Sequence, residues 1–277
     1  MIETIAIVVK NNAAAIQAGE GLQSWLAARN IQAPLVINEP EPQYPPLPPG
    51  TEIIIVFGGD GTLLSVARHY GQGGVPILGV NVGGLGFITA VSLAKLYPIM
   101  ENILRGEYEA EDRMQLVGRV IRQGEVLCQQ SVLNDVVINK GALARIVEIK
   151  AYIDNEYLTT YRADGLIVST PTGSSAYSLA AGGPIVFPTL QAITLIPICP
   201  FMLTNRPLIL PDDVTIAVVL DERSRDVYLT YDGQVGFPLQ PHDIIEIKKA
   251  PGVIRLIRSP YKNYFEILRT KLRWGEI

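Results

Sequence analysis

The spacing of apolar residues changes character near residue 111. Before it, short β-branched runs alternate with longer stretches of helical period. Thr4–Lys10 reads as a strand, and Ala13–Arg29 carries Ile16, Leu22, Trp25 and Leu26 at helical spacing. Pro34–Ile37 reads as a second strand. Ile53–Phe57 is apolar on both faces, as in a parallel strand covered on both sides, and Thr62–Ala67 begins the helix after it. Val75–Val80 is a further strand, Asn81–Gly86 a turn and Ser92–Arg105 a helix. Glu39–Gly50 holds six prolines, which excludes regular helix or interior sheet and predicts an exposed loop. This alternation predicts an α/β domain with a parallel doubly wound sheet and ligands at the C-terminal edges of its strands.

Beyond Glu111 the runs shorten and turn signals multiply. Leu116–Ile121, Val132–Ile138, Val147–Ile153, Leu166–Ser169, Ala192–Ile196, Val214–Leu220, Val227–Tyr231, Ile244–Lys248 and Val253–Ile257 are strand candidates. They predict a mostly antiparallel, all-β C-terminal domain. Only Ser174–Ala181 and Tyr264–Arg273 read as helical there. The expected division is an α/β domain over 1–110, a β-rich domain over 111–262, and a C-terminal helix over 263–277 that returns to the first domain. A cleft between the two domains is the expected ligand site.

Composition narrows the function. At 277 residues, 48% hydrophobic and 18% charged, the chain is long and apolar enough for one large or two ordinary domains and is not disordered. A net charge of −4 gives no support to a nucleic-acid surface, so an anionic substrate needs local cations such as Arg145, Arg162 or Arg206, or a metal ion. Cys128 and Cys199 lack CxxC or Cys/His spacing and are expected as reduced, buried thiols rather than a disulfide or zinc site. Ile5–Val9 is too short for a signal sequence and no run reaches membrane-spanning length, so a cytoplasmic protein is expected. His69 and His242 have no triad partner nearby in sequence and are expected to be structural.

The candidate chemistry begins where the Ile53–Phe57 strand runs into Gly58-Gly59-Asp60-Gly61-Thr62. Glycines at a strand-to-helix turn let backbone N–H groups approach phosphate, which the helix N-terminus also favours. Asp60 is anomalous there, because a carboxylate repels phosphate. It serves a metal, a proton or, more simply, as an N-cap. Asn81-Val82-Gly83-Gly84-Leu85-Gly86-Phe87 ends the next strand and is expected beside the first loop. Asn134-Asp135 heads a strand in apolar surroundings. Arg162-Ala163-Asp164-Gly165 leads through a strand to Pro171-Thr172-Gly173-Ser174-Ser175-Ala176-Tyr177, where hydroxyls and N–H groups crowd together. Tyr231-Asp232-Gly233-Gln234 reads as a hairpin turn.

Together these segments resemble the NAD kinase family nearly end to end. The marks are GGDGT at Gly58–Thr62, NVGGLGF at Asn81–Phe87, Asn134-Asp135, ADGLIVSTPTGSSAY at Ala163–Tyr177, Thr204-Asn205-Arg206-Pro207, Asp232-Gly233-Gln234 and Lys271–Gly275. GGDGT alone is shared with lipid kinases; the order of all the blocks is specific. Two departures stand out: the family often has Asn-Glu at Asn134-Asp135 and His at Phe201. The resemblance implies transfer of the γ-phosphoryl of ATP, or of polyphosphate, to the 2′-hydroxyl of the adenosine ribose of NAD, giving NADP. It implies Asp60 as the catalytic base or a contact for Mg²⁺ or another divalent ion, and Gly58, Gly59, Gly61 and Thr62 as the phosphate loop. It puts NAD against Asp60, Gly61, Asn134, Asp135, Arg145, Arg162, Asp164, Ser175, Ala176, Tyr177, Ser178, Leu179, Ala180 and Gln234. A homodimer or homotetramer is expected, with no nucleic-acid or membrane partner. A lipid kinase would need an acyl pocket or a basic amphipathic helix, and neither is legible. A non-catalytic dinucleotide sensor would have no use for Asp60.

Overall fold

The computed structural model of the chain describes residues 2–39, 44–142 and 146–275. Two compact units are present, Met1–Asp112 with Ile254–Ile277, and Arg113–Val253.

The first unit opens with β1 (Ile5–Lys10), α1 (Ala13–Ala27), β2 (Leu35–Asn38), β3 (Ile53–Gly58), α2 (Asp60–Tyr70), β4 (Ile77–Asn81), β5 (Val91–Ser92) and α3 (Leu96–Leu104). β1, β3 and β4 are buried over almost their whole length, which is why they read as continuous apolar runs. They pair in parallel in the order β2-β1-β3-β4, with β5 on the far edge of β4. Leu22 and Leu26 of α1 and Leu96, Ile99 and Ile103 of α3 pack on this sheet through one apolar cluster. Asn12 caps α1, its side chain accepting from Ala15 N–H at 2.8 Å.

The second unit holds β6 (Ala110–Arg122), which begins in the first unit, then β7 (Glu125–Val132), β8 (Asp135–Lys140), β9 (Val147–Ile153), β10 (Glu156–Ala163), β11 (Gly165–Ser169), the short α4 (Tyr177–Ala180), β12 (Ala192–Ile198), β13 (Leu208–Pro211), β14 (Ile216–Leu220), β15 (Val227–Tyr231), β16 (Val235–Leu239) and β17 (Ile244–Ile257). One antiparallel sheet runs β13-β12-β11-β8-β15-β16. β10, β9, β14 and the start of β17 form a second antiparallel set. Inward positions of both, such as Val136, Ile149, Val168, Val218 and Leu229, share one core. Asp243, fully buried, is held there by two guanidinium nitrogens of Arg122, Nε and Nη2, which donate to its two carboxylate oxygens at 2.7 and 2.8 Å.

β17 carries the chain back, so that Leu256 pairs with Ile77 of β4 and residues 254–262 stand in the first unit, followed by α5 (Tyr264–Leu272). Asn263 and Glu266 close a reciprocal capping box on α5. Arg258 pairs with Glu109 and Glu111, holding the strand that returns against the one that leaves.

Several expectations need correction. Val132–Ile138 is two strands, broken at Leu133-Asn134 where β7 turns into β8; Ile244–Lys248 and Val253–Ile257 are one long strand running through Pro251-Gly252. Cys199 is exposed, with left-handed backbone at φ 45°, and Cys128 is half-buried, so neither is a buried thiol. The proline-rich segment is no simple exposed loop. Its residues 40–43 lie outside the described residues, but Tyr44 is buried. The Tyr44 ring packs on His69 and Tyr70, its hydroxyl bonds to Asn38 and Ser65, and Tyr70 donates to the Pro45 carbonyl at 2.6 Å. The segment is thus stapled to the outer side of α2 by one aromatic side chain, a signal masked by the prolines around it.

Tyr44→Ala is expected to cost about 2–4 kcal/mol by opening a cavity, and Tyr44→Phe about 1 kcal/mol by losing the hydroxyl contacts. Urea unfolding midpoints of both variants check this; an unchanged midpoint for the alanine variant would mean that the staple contributes nothing.

Candidate active site

In the first unit the two glycine loops stand side by side, since Gly58 at the end of β3 pairs with Asn81 at the end of β4. Asp60 is not the N-cap: Gly59 is, and Asp60 is the first residue of α2. Its carboxylate reaches across to the second loop. Oδ2 accepts from Phe87 N–H at 2.8 Å, while Oδ1 accepts from Ile88 N–H at 3.2 Å, Thr89 N–H at 3.0 Å and the Thr89 hydroxyl at 2.9 Å. Asn81 continues the network, donating to the Thr89 hydroxyl at 3.0 Å and accepting from Gly83 N–H at 2.7 Å. Lys271 of α5 lies 5.6 Å from the centre of the Phe87 ring.

Packing explains two of the glycines. A side chain at Gly86 would collide with the Asp60 carboxylate and the Thr89 hydroxyl, and one at Gly58 with Thr62. Thr62, expected in the phosphate loop, is buried beneath Gly58 rather than open to a ligand. Gly58 and Gly59, with Lys10, Asn12, Ala14, Asn81, Val82, Gly83 and Gly84, line a cavity of about 320 Å³ at the C-terminal edge of the parallel sheet. Lys10 and Asn12 were missed in the sequence reading, because β1 ends without a glycine motif; their place after an apolar strand beside the glycine-loop strand was the available signal.

In the second unit, Asn134 and Asp135 stand at the start of β8, opposite Ser169 at the end of β11, whereas Asp164 stands at the other end of that antiparallel pair, before Gly165 and beside Lys140. Asp135 is buried beside Asp232, whose carboxylate accepts from the backbone N–H groups of Leu133, Asn134 and Asp135 at 3.3, 2.8 and 3.3 Å. Asp232 is therefore more than a hairpin residue: it holds the Asn134-Asp135 turn in place. Burial first, and the Asp232 charge second, push the Asp135 carboxyl up to about 7. Asp164 pairs with Lys140 at 2.9 Å. Burial first, and then Cys199, Asp164 and Asp135, raise the Tyr177 hydroxyl, which puts Tyr177 within electrostatic range of each of the three.

Ser175 donates to the Thr172 carbonyl at 3.3 Å, while Ala176 precedes α4 and Leu179 and Ala180 lie within it. Ser178 is fully buried, its hydroxyl without a partner among the described residues. Arg162 is exposed on β10, 3.3 Å from Glu148 and 5.2 Å from the Phe201 ring centre, so much of its charge is already answered. Gln234 is exposed after the Asp232-Gly233 turn. Gly61 is exposed in the first turn of α2. Arg145 lies outside the described residues. Arg206 is spent locally, donating to the carbonyls of Leu203 and Asn205. His69 and His242 sit at a ring cluster and a left-handed turn, away from any acid–base pairing seen here.

Residues 47–108 match the sequence model of the ATP-NAD kinase N-terminal domain and residues 133–259 that of the ATP-NAD kinase C-terminal domain. An NAD kinase of Syntrophobacter fumaroxidans is 50% identical over 279 residues, covering 98% of this chain and 99% of that protein. The chain belongs to the NAD kinase family. A second member, from Geotalea daltonii, is 47% identical across 99% of this chain and 100% of its own length. Among solved structures, yeast NADH kinase complexed with NADH superposes with a TM-score of 0.88 at 22% identity, covering 100% of this chain and 89% of that one. An NAD kinase from Archaeoglobus fulgidus in complex with ATP superposes with a TM-score of 0.78 at 23% identity, covering 97% and 98%. The α/β unit with its parallel sheet and the antiparallel β unit are thus the family's fold.

The buried carboxyl pair makes stability pH-dependent. A carboxyl raised when folded binds its proton more tightly in the native state; its contribution is full below the unfolded value and is lost as pH rises through about 7. Asp135→Asn removes this titration. The variant's melting temperature relative to the unmodified protein is expected to rise between pH 4 and pH 8. A difference that stays constant across that range would contradict the coupling.

Proposed function

We propose that the chain transfers the γ-phosphoryl of ATP to the 2′-hydroxyl of the adenosine ribose of NAD, yielding NADP, with Asp60 as the group that accepts the hydroxyl proton. The kinase activity is that of the family. The observation that carries the role of Asp60 is its geometry. Three donors occupy Oδ1, but only Phe87 N–H meets Oδ2 among these contacts. A carboxylate oxygen has two lone pairs, so Oδ2 retains one for an incoming hydroxyl. The clamp fixes the direction of that lone pair before substrate arrives. Phosphoryl transfer leaves a protein mainly positioning and charge stabilisation to supply, so an oriented acceptor is the contribution to expect.

The dinucleotide is proposed to lie against Asn134, Asp135, Asp164, Ser175, Tyr177 and Gln234. A carboxyl titrating near 7 suits this use, since Asp135 can donate to a carboxamide oxygen when protonated or accept from its amide when ionised. Asp164, steadied by Lys140, suits ribose hydroxyls. The complex of the Archaeoglobus relative with ATP supports ATP as donor, and the complex of the yeast relative with NADH supports a pyridine dinucleotide as acceptor.

No group of three or more His, Cys, Asp or Glu among the described residues is arranged to hold a metal. That fits a divalent ion such as Mg²⁺ carried in on the nucleotide phosphates, with Asp60 as the carboxylate available to it at the glycine loops. Such an ion neutralises phosphate charge. Assembly into a homodimer or homotetramer and a cytoplasmic location belong to the same proposal. The exposed run Phe201, Met202 and Leu203 supports the first; among the described residues no helix is long and apolar enough to cross a membrane.

Asp60→Asn keeps the size of the side chain and removes its charge. NADP formation from NAD and Mg-ATP, followed with a coupled dehydrogenase, is expected to lose roughly 10²–10⁴ in kcat. Thr89→Val removes one donor from the clamp without touching the carboxylate and should cost less than about tenfold. Equal losses in the two variants would reduce Asp60 to a structural tie.

Asp164→Ala is expected to raise the KM for NAD by about 1.5–3 kcal/mol worth, with kcat and the KM for ATP moving little. Parallel changes in both KM values at an unchanged melting temperature would argue against placing NAD there.

A further inference from the structure

At three glycines of the first unit, packing inside the protein does not require the absence of a side chain. Gly59 and Gly84 have no atom within 4 Å of where a side chain would begin, and Gly83 has only the Asn81 Oδ1 at 3.8 Å. None of the three has the left-handed backbone that demands glycine, unlike Gly74 or Gly106. Gly58 and Gly86 in the same two loops are dictated by Thr62 and Asp60; these three are not. All three face the 320 Å³ cavity, so the room they leave is room for an occupant.

The lining states what that occupant is. It consists of glycine backbone, the amides of Asn12 and Asn81, two small apolar residues, Ala14 and Val82, and the ammonium-bearing Lys10. No aromatic or large apolar surface is present to stack a nucleobase. The starts of α1 and α2 border it through Asn12 and Gly59, adding the partial positive charge of two helix N-termini. Lys10 is exposed at the end of β1 and makes no ion pair among the described residues, whereas Lys140, Lys150 and Lys249 each have a carboxylate within 4 Å. A lysine without a counter-ion, beside open glycine backbone and two helix starts, is arranged for a polyanion.

We propose that Lys10 is the cation that binds the phosphate chain of the phosphoryl donor, seated on Gly59, Gly83 and Gly84. This rests on reading the chain as an ATP-dependent kinase and adds the residue that holds the donor. The seat recognises phosphate without a base, so inorganic tripolyphosphate is expected to occupy it as well and to compete with ATP.

The test is steady-state kinetics with ATP and NAD varied separately, with tripolyphosphate as inhibitor. Lys10→Ala should raise the KM for ATP and the Ki of tripolyphosphate together, by about 10–100-fold, the scale of a charge-assisted contact. The KM for NAD should stay within about twofold, and Lys10→Arg should restore most of the loss, since the interaction is chiefly one of charge. Gly84→Ala should keep the melting temperature and raise the KM for ATP. A KM for ATP unchanged in Lys10→Ala, or a KM for NAD raised equally, overturns the proposal. Should the unmodified protein form no NADP, the kinase reading fails instead. Calorimetric titration of tripolyphosphate into it and into Lys10→Ala then decides the seat alone: binding lost in the variant supports it, and equal or absent binding in both refutes it.

Discussion

The carboxylate of Asp60 is the tie on which the geometry of the first unit's loops depends. A parallel sheet delivers its strands to one edge, but it leaves the loops beyond that edge without partners of their own. Here one side chain at the start of α2 gathers three successive backbone N–H groups and a hydroxyl from the loop after β4. Four donors balance the negative charge locally, which answers the puzzle of a carboxylate at a phosphate-type turn. The same tie dictates Gly86, because no side chain fits beside it, and it fixes Thr89, which in turn orients Asn81 and through it Gly83. One residue thus orders both glycine loops, and the cavity they line inherits its shape from that order.

The second unit treats its carboxylates differently. Asp232 also collects backbone N–H groups, three of them from Leu133 to Asp135, and so plays for the β7–β8 turn the part Asp60 plays for the β4 loop. Asp135, by contrast, lies buried beside that charge, and burial with the Asp232 charge pushes its carboxyl up to about 7. Three aspartates in similar glycine-rich or turn sequences therefore have different surroundings: Asp60 and Asp232 each accept several N–H groups, and Asp135 lies buried beside the Asp232 charge. What separates them is the number of donors each receives and how much water reaches it.

Much of this was legible from sequence. The runs Ile5–Val9, Ile53–Phe57 and Ile77–Val80 are apolar on both faces, as a parallel sheet covered on both sides requires, and their alternation with helical segments is what marked them as parallel; the short segments separated by turn signals beyond residue 111 read equally well as antiparallel strands. The adjacency of the two glycine loops followed from their place after neighbouring strands. What could not be read were long-range contacts made by single side chains. The cap stayed open as one reading of Asp60 because the sequence shows its neighbours and not the loop 27 residues on. Tyr44 was hidden among prolines, and its anchoring depends on Ser65, His69 and Tyr70 of a helix formed later in the chain. Lys10 carried no motif at all; its setting exists only once β1 lies beside β3.

The second unit is inserted within the first: the chain leaves near Asp112 and returns at Ile254. A ribosome delivers such a fold out of order. The glycine loops emerge early, but the strand that flanks β4 at Ile77, the partners of Glu109 and Glu111, and the helix whose Lys271 approaches Phe87 come only after the entire β unit has been made. The β unit has all its own strands before then and is free to fold ahead, whereas the unit bearing Asp60 waits with an open sheet edge. Completion of the part that carries the kinase loops is thereby deferred until the β unit has been made, and a chain truncated before Ile254 would hold the glycine motifs intact while lacking the pieces that finish their sheet.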